Sequence, residues 1–151
     1  MSGDAPYEGH NAVVVLLLIL LGVVATPWLT VRGIRLLVRA RTTGTRRAWL
    51  GAAAVLTWAA LIGVYTWGVL HLFFFDDTEQ SRACNKAVPT GQLTGYDPSF
   101  IPLRFGCRTS DGATVDASVI PSYVNPASAV LAVCAVTLTG FTRVQPKEEQ
   151  K

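Results

Sequence analysis

Three long stretches of this 151-residue chain contain no Asp, Glu, Lys or Arg: residues 12–31, 48–75 and 123–142. Only 15% of all residues are charged and 50% are hydrophobic, and the apolar ones gather in blocks instead of recurring with one period along the chain. A hydrocarbon core about 30 Å thick takes about 20 helical residues to cross. The missing charge therefore predicts three transmembrane helices of 20, 28 and 20 residues. The second exceeds the minimum and must tilt or protrude. The third is less apolar, because of Ser128, Thr137, Thr139 and Gly140. The same absence counts against transport, since an ion or proton pathway places acids, bases or histidines toward the interior of a bundle. His71 is the single such residue in the three runs.

Cysteine and histidine are scarce as well. Cys84, Cys107 and Cys134 include no Cys-x-x-Cys pair, and His10 and His71 supply no metal-ligand spacing. There is no glycine-rich phosphate loop and no Ser/His/Asp set. Asp76 and Asp77 are adjacent, so on a helix their side chains diverge; they are expected to cap the water-facing end of the second span. His71 would share a membrane side with Asp4, Glu8, His10, Asp76, Asp77 and Glu79. Without a ligand spacing it reads as an interfacial histidine among Trp67 and Phe73 to Phe75. No catalytic residue, cofactor or metal is expected.

What the chain does have is one segment whose charge is of a single sign. The segment RGIRLLVRARTTGTRR, residues 32–47, holds Arg32, Arg35, Arg39, Arg41, Arg46 and Arg47, with no acid and no lysine. Lysine and arginine hold the loops beside spans in the cytoplasm, and acids contribute little to that bias. Residues 1–11 carry Asp4 and Glu8 and no basic residue; residues 76–122 carry six acids against Arg82, Lys86, Arg104 and Arg108. The tail, residues 143–151, brings Arg143, Lys147 and Lys151. The expected topology is thus an extracytoplasmic tail (1–11), a basic cytoplasmic loop (32–47), an extracytoplasmic loop domain (76–122) and a cytoplasmic tail (143–151). The first run lacks the basic n-region and small-residue cleavage site of a signal peptide, so it is expected to stay as an anchor.

The arginines bear on partners too. If the first helix runs on past residue 31, Arg32, Arg35, Arg39 and, one turn further, Arg46 share a face opposite Ile34, Leu37 and Val38. Such a juxtamembrane cluster attracts anionic lipid at about 1 kcal/mol per arginine. Nucleic acid is not an expected partner, because the segment has no aromatic or base-reading side chains in a folded module.

Within the spans, small residues fall on single faces at about 100° per residue: Gly22, Thr26 and Gly33; Ala52, Ala59 and Gly63; Ser128, Ala132, Ala135 and Thr139. These faces predict close helix packing, within the chain or against a partner. Pro27 is expected to kink the first helix. The loop domain has about 47 residues, too few for a core without a staple. Cys84 and Cys107 lie on its oxidising side and are expected to form a disulfide, with Cys134 left alone in the third span. PLRFGCRTSDGATVDASVI reads as a hairpin about a Ser-Asp-Gly turn, its second strand half-buried at Val115, Ala117 and Val119. The preceding NKAVPTGQLTGYDPSF, rich in proline and glycine, is expected to be irregular.

The element CRTSDGATVDASVIPSYVNP combines a cysteine, an Asp-Gly turn, a short strand and Val-Asn-Pro before the last span. With ten arginines to three lysines, it resembles small, uncharacterised three-span membrane proteins of high-GC Gram-positive bacteria. The resemblance covers about the last third of the chain. It implies a bacterial plasma membrane and no particular activity.

The expected fold is therefore membrane all-α: three transmembrane helices with a small disulfide-stapled extracytoplasmic β-hairpin insertion between the second and third. The expected function is non-enzymatic, as an accessory, scaffold or sensor protein that contacts the bilayer and either another membrane protein or a second copy. Two alternatives stand beside it: a small transporter or channel subunit, and a membrane thiol-disulfide oxidoreductase using Cys84 and Cys107.

Overall fold

The structure, a computed structural model, describes residues 11–74, 77–88, 92–117 and 120–144. Four helices and three strands follow one another as α1 (Ala12–Thr43), α2 (Arg46–Phe74), α3 (Asp77–Ala87), β1 (Leu93–Phe100), β2 (Leu103–Thr109), β3 (Thr114–Asp116) and α4 (Val124–Val144). α1, α2 and α4 are each long and apolar enough to cross a membrane. Much of their apolar surface is uncovered: Leu21 and Val24 on α1 and Val130 and Val133 on α4 are all more than 60% exposed.

Local chemistry sets the ends of the first two helices. The Asn11 side-chain oxygen accepts hydrogen bonds from the backbone N–H groups of Val13 (3.0 Å) and Val14 (3.4 Å), the capping arrangement that starts α1. α1 continues through Pro27, where a kink was expected, and Thr30 Oγ1 donates to the Thr26 carbonyl at 2.7 Å. It then runs through most of the arginine segment expected as a loop, leaving only Gly44 and Thr45 outside a helix. Arginine and leucine both favour helix, and Ala40 in this segment is fully buried. Gly44 ends the helix with a φ of 65° and donates to the Ala40 carbonyl at 2.9 Å. Because α1 stops here, Arg46 belongs to α2 and does not continue the face of Arg32, Arg35 and Arg39.

The chain divides into two compact units. One comprises Leu21–Tyr65 and the described part of Pro126–Lys151. Here α1 and α2 lie antiparallel with the small residues at their contact. A Cβ on Gly33 would fall 2.5 Å from Leu56 Cδ2, and one on Gly63 would fall 3.3 Å from Thr26 Cγ2. Both contacts fit one register, so the segment from Arg32 to Arg41 runs beside the uncharged start of α2 from Ala48 to Thr57. Ala52, Ala59 and Ala135 are buried, as the small-residue faces require, and Ala54, off those faces, is buried as well. Trp58 Nε1 donates to Thr139 Oγ1 at 3.2 Å, tying α2 to α4.

The other unit comprises Thr66–Asn125 and the described part of Met1–Leu20. Its three-stranded antiparallel sheet has the order β1-β2-β3. The expected hairpin is β2 and β3. Gly112, at φ 80°, donates to the Thr109 carbonyl at 3.0 Å, and Thr109 donates to the Ala113 carbonyl at 2.9 Å. The positive φ is why glycine follows Asp111 in this turn.

Two expectations change in this unit. The stretch expected as irregular contains β1, which pairs with β2 along its length and carries an irregularity between Leu93 and Gly95. Pro98 is tolerated because β1 is an edge strand. The half-buried strand is β2: Leu103, Phe105, Cys107 and Thr109 are buried and alternate with exposed Arg104 and Arg108. β3 is exposed throughout. Val115 pairs with Cys107 but stands at the margin of the covered face, and Val119 lies outside the described residues.

Candidate functional site

The core of the sheet unit is small and holds the chain at four places. Phe105, Leu103, Val69, Val124, Cys84 and Cys107 are its fully buried side chains. Tyr96 lies over Phe105 with ring centroids 5.2 Å apart. α3 supplies Cys84, which is joined to Cys107 on β2 by a disulfide with a Cα separation of 5.6 Å. That distance lies within the reach of a bridge, so the expected pairing is present and Cys134 is free. α3 is polar apart from this anchor, and on its exposed side Arg82 pairs with Glu79 at 2.9 Å.

Asn125 makes a two-point polar link between α4 and β2. Its Nδ2 donates to the Leu103 carbonyl at 2.8 Å, and its Oδ1 accepts from the Leu103 N–H at 3.0 Å. One side chain in the first turn of α4 thereby imitates a neighbouring strand for the first residue of β2. Pro126 is compatible with that first turn, where backbone N–H groups lack helical partners. Alongside, a Cβ on Gly68 would lie 2.7 Å from Val124 Cγ1 and 2.9 Å from Leu103 Cδ2. Only glycine lets α2 approach β2 and α4 this closely.

The other face of the sheet is polar. Asp97 on β1 stands between two guanidinium groups of β2, Arg104 at 3.6 Å and Arg108 at 3.8 Å. Register places Gly106 opposite both Asp97 and Asp116. A side chain at 106 would collide with Thr114 Cγ2 at 2.5 Å and the Asp97 carbonyl oxygen at 2.9 Å. The result is a patch of two arginines and two aspartates around a buried glycine, suited to charge-complementary contact. At the adjacent turn, the Thr109 side chain and then Asp111's own backbone hold the Asp111 carboxyl below the usual carboxylate range.

The remaining sequence-derived candidates separate. Arg32, Arg35, Arg39, Arg41, Arg46 and Arg47 are all exposed, and the Arg32 guanidinium lies 5.4 Å from the ring centroid of Trp28. His71 is in the last turn of α2, half-buried and edge-on to Trp67 at 5.0 Å. Asp4, Glu8, His10 and Asp76 lie outside the described residues. Among the described residues no group of three or more His, Cys, Asp or Glu side chains gathers as metal ligands would.

Asn125 and the Asp97–Arg104–Arg108 cluster were not singled out from the sequence. Val-Asn-Pro before the last span was visible, but its role depends on Leu103, 22 residues away. The alternation of Arg104 and Arg108 with buried residues was a readable period-2 signal. The chain matches no protein-family model, no curated protein and no solved structure.

Proposed function

We propose that the protein is an integral plasma-membrane protein without catalytic activity that presents the stapled sheet unit outside the cytoplasm as an accessory, scaffold or sensor surface. The carrying observation is the contrast between three exposed, apolar, span-length helices and a small sheet whose outward face is the paired-charge patch of Asp97, Arg104 and Arg108. The amino terminus lies outside, the arginine turn inside and the carboxyl terminus inside, because the arginines concentrate at one end of α1 and α2. Long guanidinium side chains reach anionic headgroups by extending along the helix surface. The partner is a second membrane protein or a second copy, met through the patch.

Burial of the disulfide supports this reading over thiol-disulfide exchange. Both Cys84 and Cys107 are 0% exposed, and exchange requires a thiolate to reach a sulfur. The test is charge reversal of the patch. With insertion and abundance normal, Arg104→Glu combined with Arg108→Glu should abolish cross-linking to the partner and the cellular phenotype. Exchanging the tail RVQPKEEQK for an unrelated basic tail should preserve both. The opposite pair of results would move the interaction to the cytoplasmic side and refute the proposal.

A further inference from the structure

Ile101 is 90% exposed, the most exposed large apolar side chain among the described residues. It occupies the turn between β1 and β2, a position where water-facing chains favour polar residues. The surroundings of that turn account for it. Two residues on, Leu103 is held by Asn125 in the first turn of α4 through both its N–H and its carbonyl. Leu103 also lies against Gly68 of α2. Next to Gly68, Trp67 Nε1 donates to the Tyr123 hydroxyl at 3.1 Å, while the two side chains stay 50% and 54% exposed. A tryptophan two turns before the end of α2 and a tyrosine just before α4, with open rings and joined polar atoms, have the character of a membrane-interface pair. A two-residue step covers at most about 7 Å, so the turn lies close to the level of that pair.

We infer that the Ile101–Pro102 turn is seated in the lipid–water interface of the outer leaflet, with Ile101 inserted among the acyl chains. The inference rests on the reading that α1, α2 and α4 span a membrane, and the occupant is the bilayer because the turn leads directly into Leu103, which is held against α2 and α4 beside the exposed Trp67–Tyr123 pair. The sheet is then fastened to the membrane at three places: α2, α4 and its own first turn. The turn at Ser110 to Gly112, which begins seven residues beyond Leu103 and about 23 Å along the strand, projects into water. That arrangement holds the Asp97–Arg104–Arg108 face at a constant height above the lipid, as a surface for a membrane-bound partner requires.

Nitroxide accessibility in vesicles of phosphatidylethanolamine and phosphatidylglycerol tests the placement with the full chain and its disulfide intact. One label goes on native Cys134, which is free and exposed in α4. The others go on Ile101→Cys and Ser110→Cys, each in a Cys134→Ala chain. Both introduced positions are exposed, so the core is untouched. Labels at 134 and 101 should be relaxed several-fold more by oxygen than by a water-soluble nickel complex, and the label at 110 should show the reverse order. A nickel preference at 101 beside an oxygen preference at 134 would overturn the seated turn and leave the spanning helices standing. A nickel preference at 134 would overturn the membrane reading itself.

Discussion

Asn125 ties the first turn of α4 to the first residue of β2 through one side chain. Removing its amide leaves the Leu103 N–H and carbonyl without partners in a site where Leu103 is 1% exposed, at a cost of about 2–3 kcal/mol. Asn125→Ala should therefore loosen β2 from α4, seen as faster amide hydrogen exchange at Leu103, while the disulfide stays closed. Asn125→Asp keeps the acceptor for the Leu103 N–H and loses the donor to its carbonyl, so its effect should be of similar size. Asp111 gives a pH-dependent counterpart. Its carboxyl is held below the usual range in the folded chain, so its contribution is complete above the unfolded carboxylate value and is lost as pH falls through the folded one. Chemical-shift titration should show the β2–β3 turn loosening on acidification, and Asp111→Asn should remove that dependence. Neither role could be read from the sequence. Asn125 acts on a residue far away in the chain, and the Asp111 shift depends on the Thr109 side chain, which the turn brings to it.

At the scale of elements, the disulfide ties α3 to β2, and Gly68 lets α2 close on β2 and α4. The bridge closes a loop with a sequence separation of 23, which corresponds to about 3–4 kcal/mol of unfolded-state entropy in the loop-closure model. Cys84→Ser, Cys107→Ser and the double variant should lose the sheet to the same extent, detected as new protease cuts across residues 77–117 with the helices still inserted. A double variant that folded normally would show that the bridge is not the staple. Gly68→Val drives methyl groups against Val124 and Leu103 and should destabilise the unit by about 1–3 kcal/mol. Legibility follows the same physics. The three apolar helices and the bridge were readable because each depends on local composition or on two like residues. α3 was not, since Cys84 is its single buried position among the described side chains and its order comes from the bridge. β1 was hidden by Gly95 and Pro98, which erase alternation, and it exists through pairing with β2. The helical course of the arginine segment was open to the sequence as a continuation of the first span, with Arg32, Arg35 and Arg39 on one face, and buried Ala40 carries the inward side of α1 through it.

At the scale of the whole molecule, each unit carries its own distinctive surface: exposed arginines at one end of the α1–α2 pair in one, a stapled sheet with a charged face in the other. Orientation depends on summed positive charge, so replacing one of the six arginines with Gln should leave insertion unchanged, and replacing all six should give mixed or inverted insertion in a glycosylation or protease-protection assay. The central claim is that the sheet unit lies outside the cell and the arginine turn inside. The most direct test is labelling of intact cells with a membrane-impermeant maleimide, in a Cys134→Ala chain carrying one new cysteine at a time. Ser110→Cys should be labelled without lysis, and Thr42→Cys only after lysis. Labelling of Thr42→Cys in intact cells, with Ser110→Cys protected until lysis, would contradict the account.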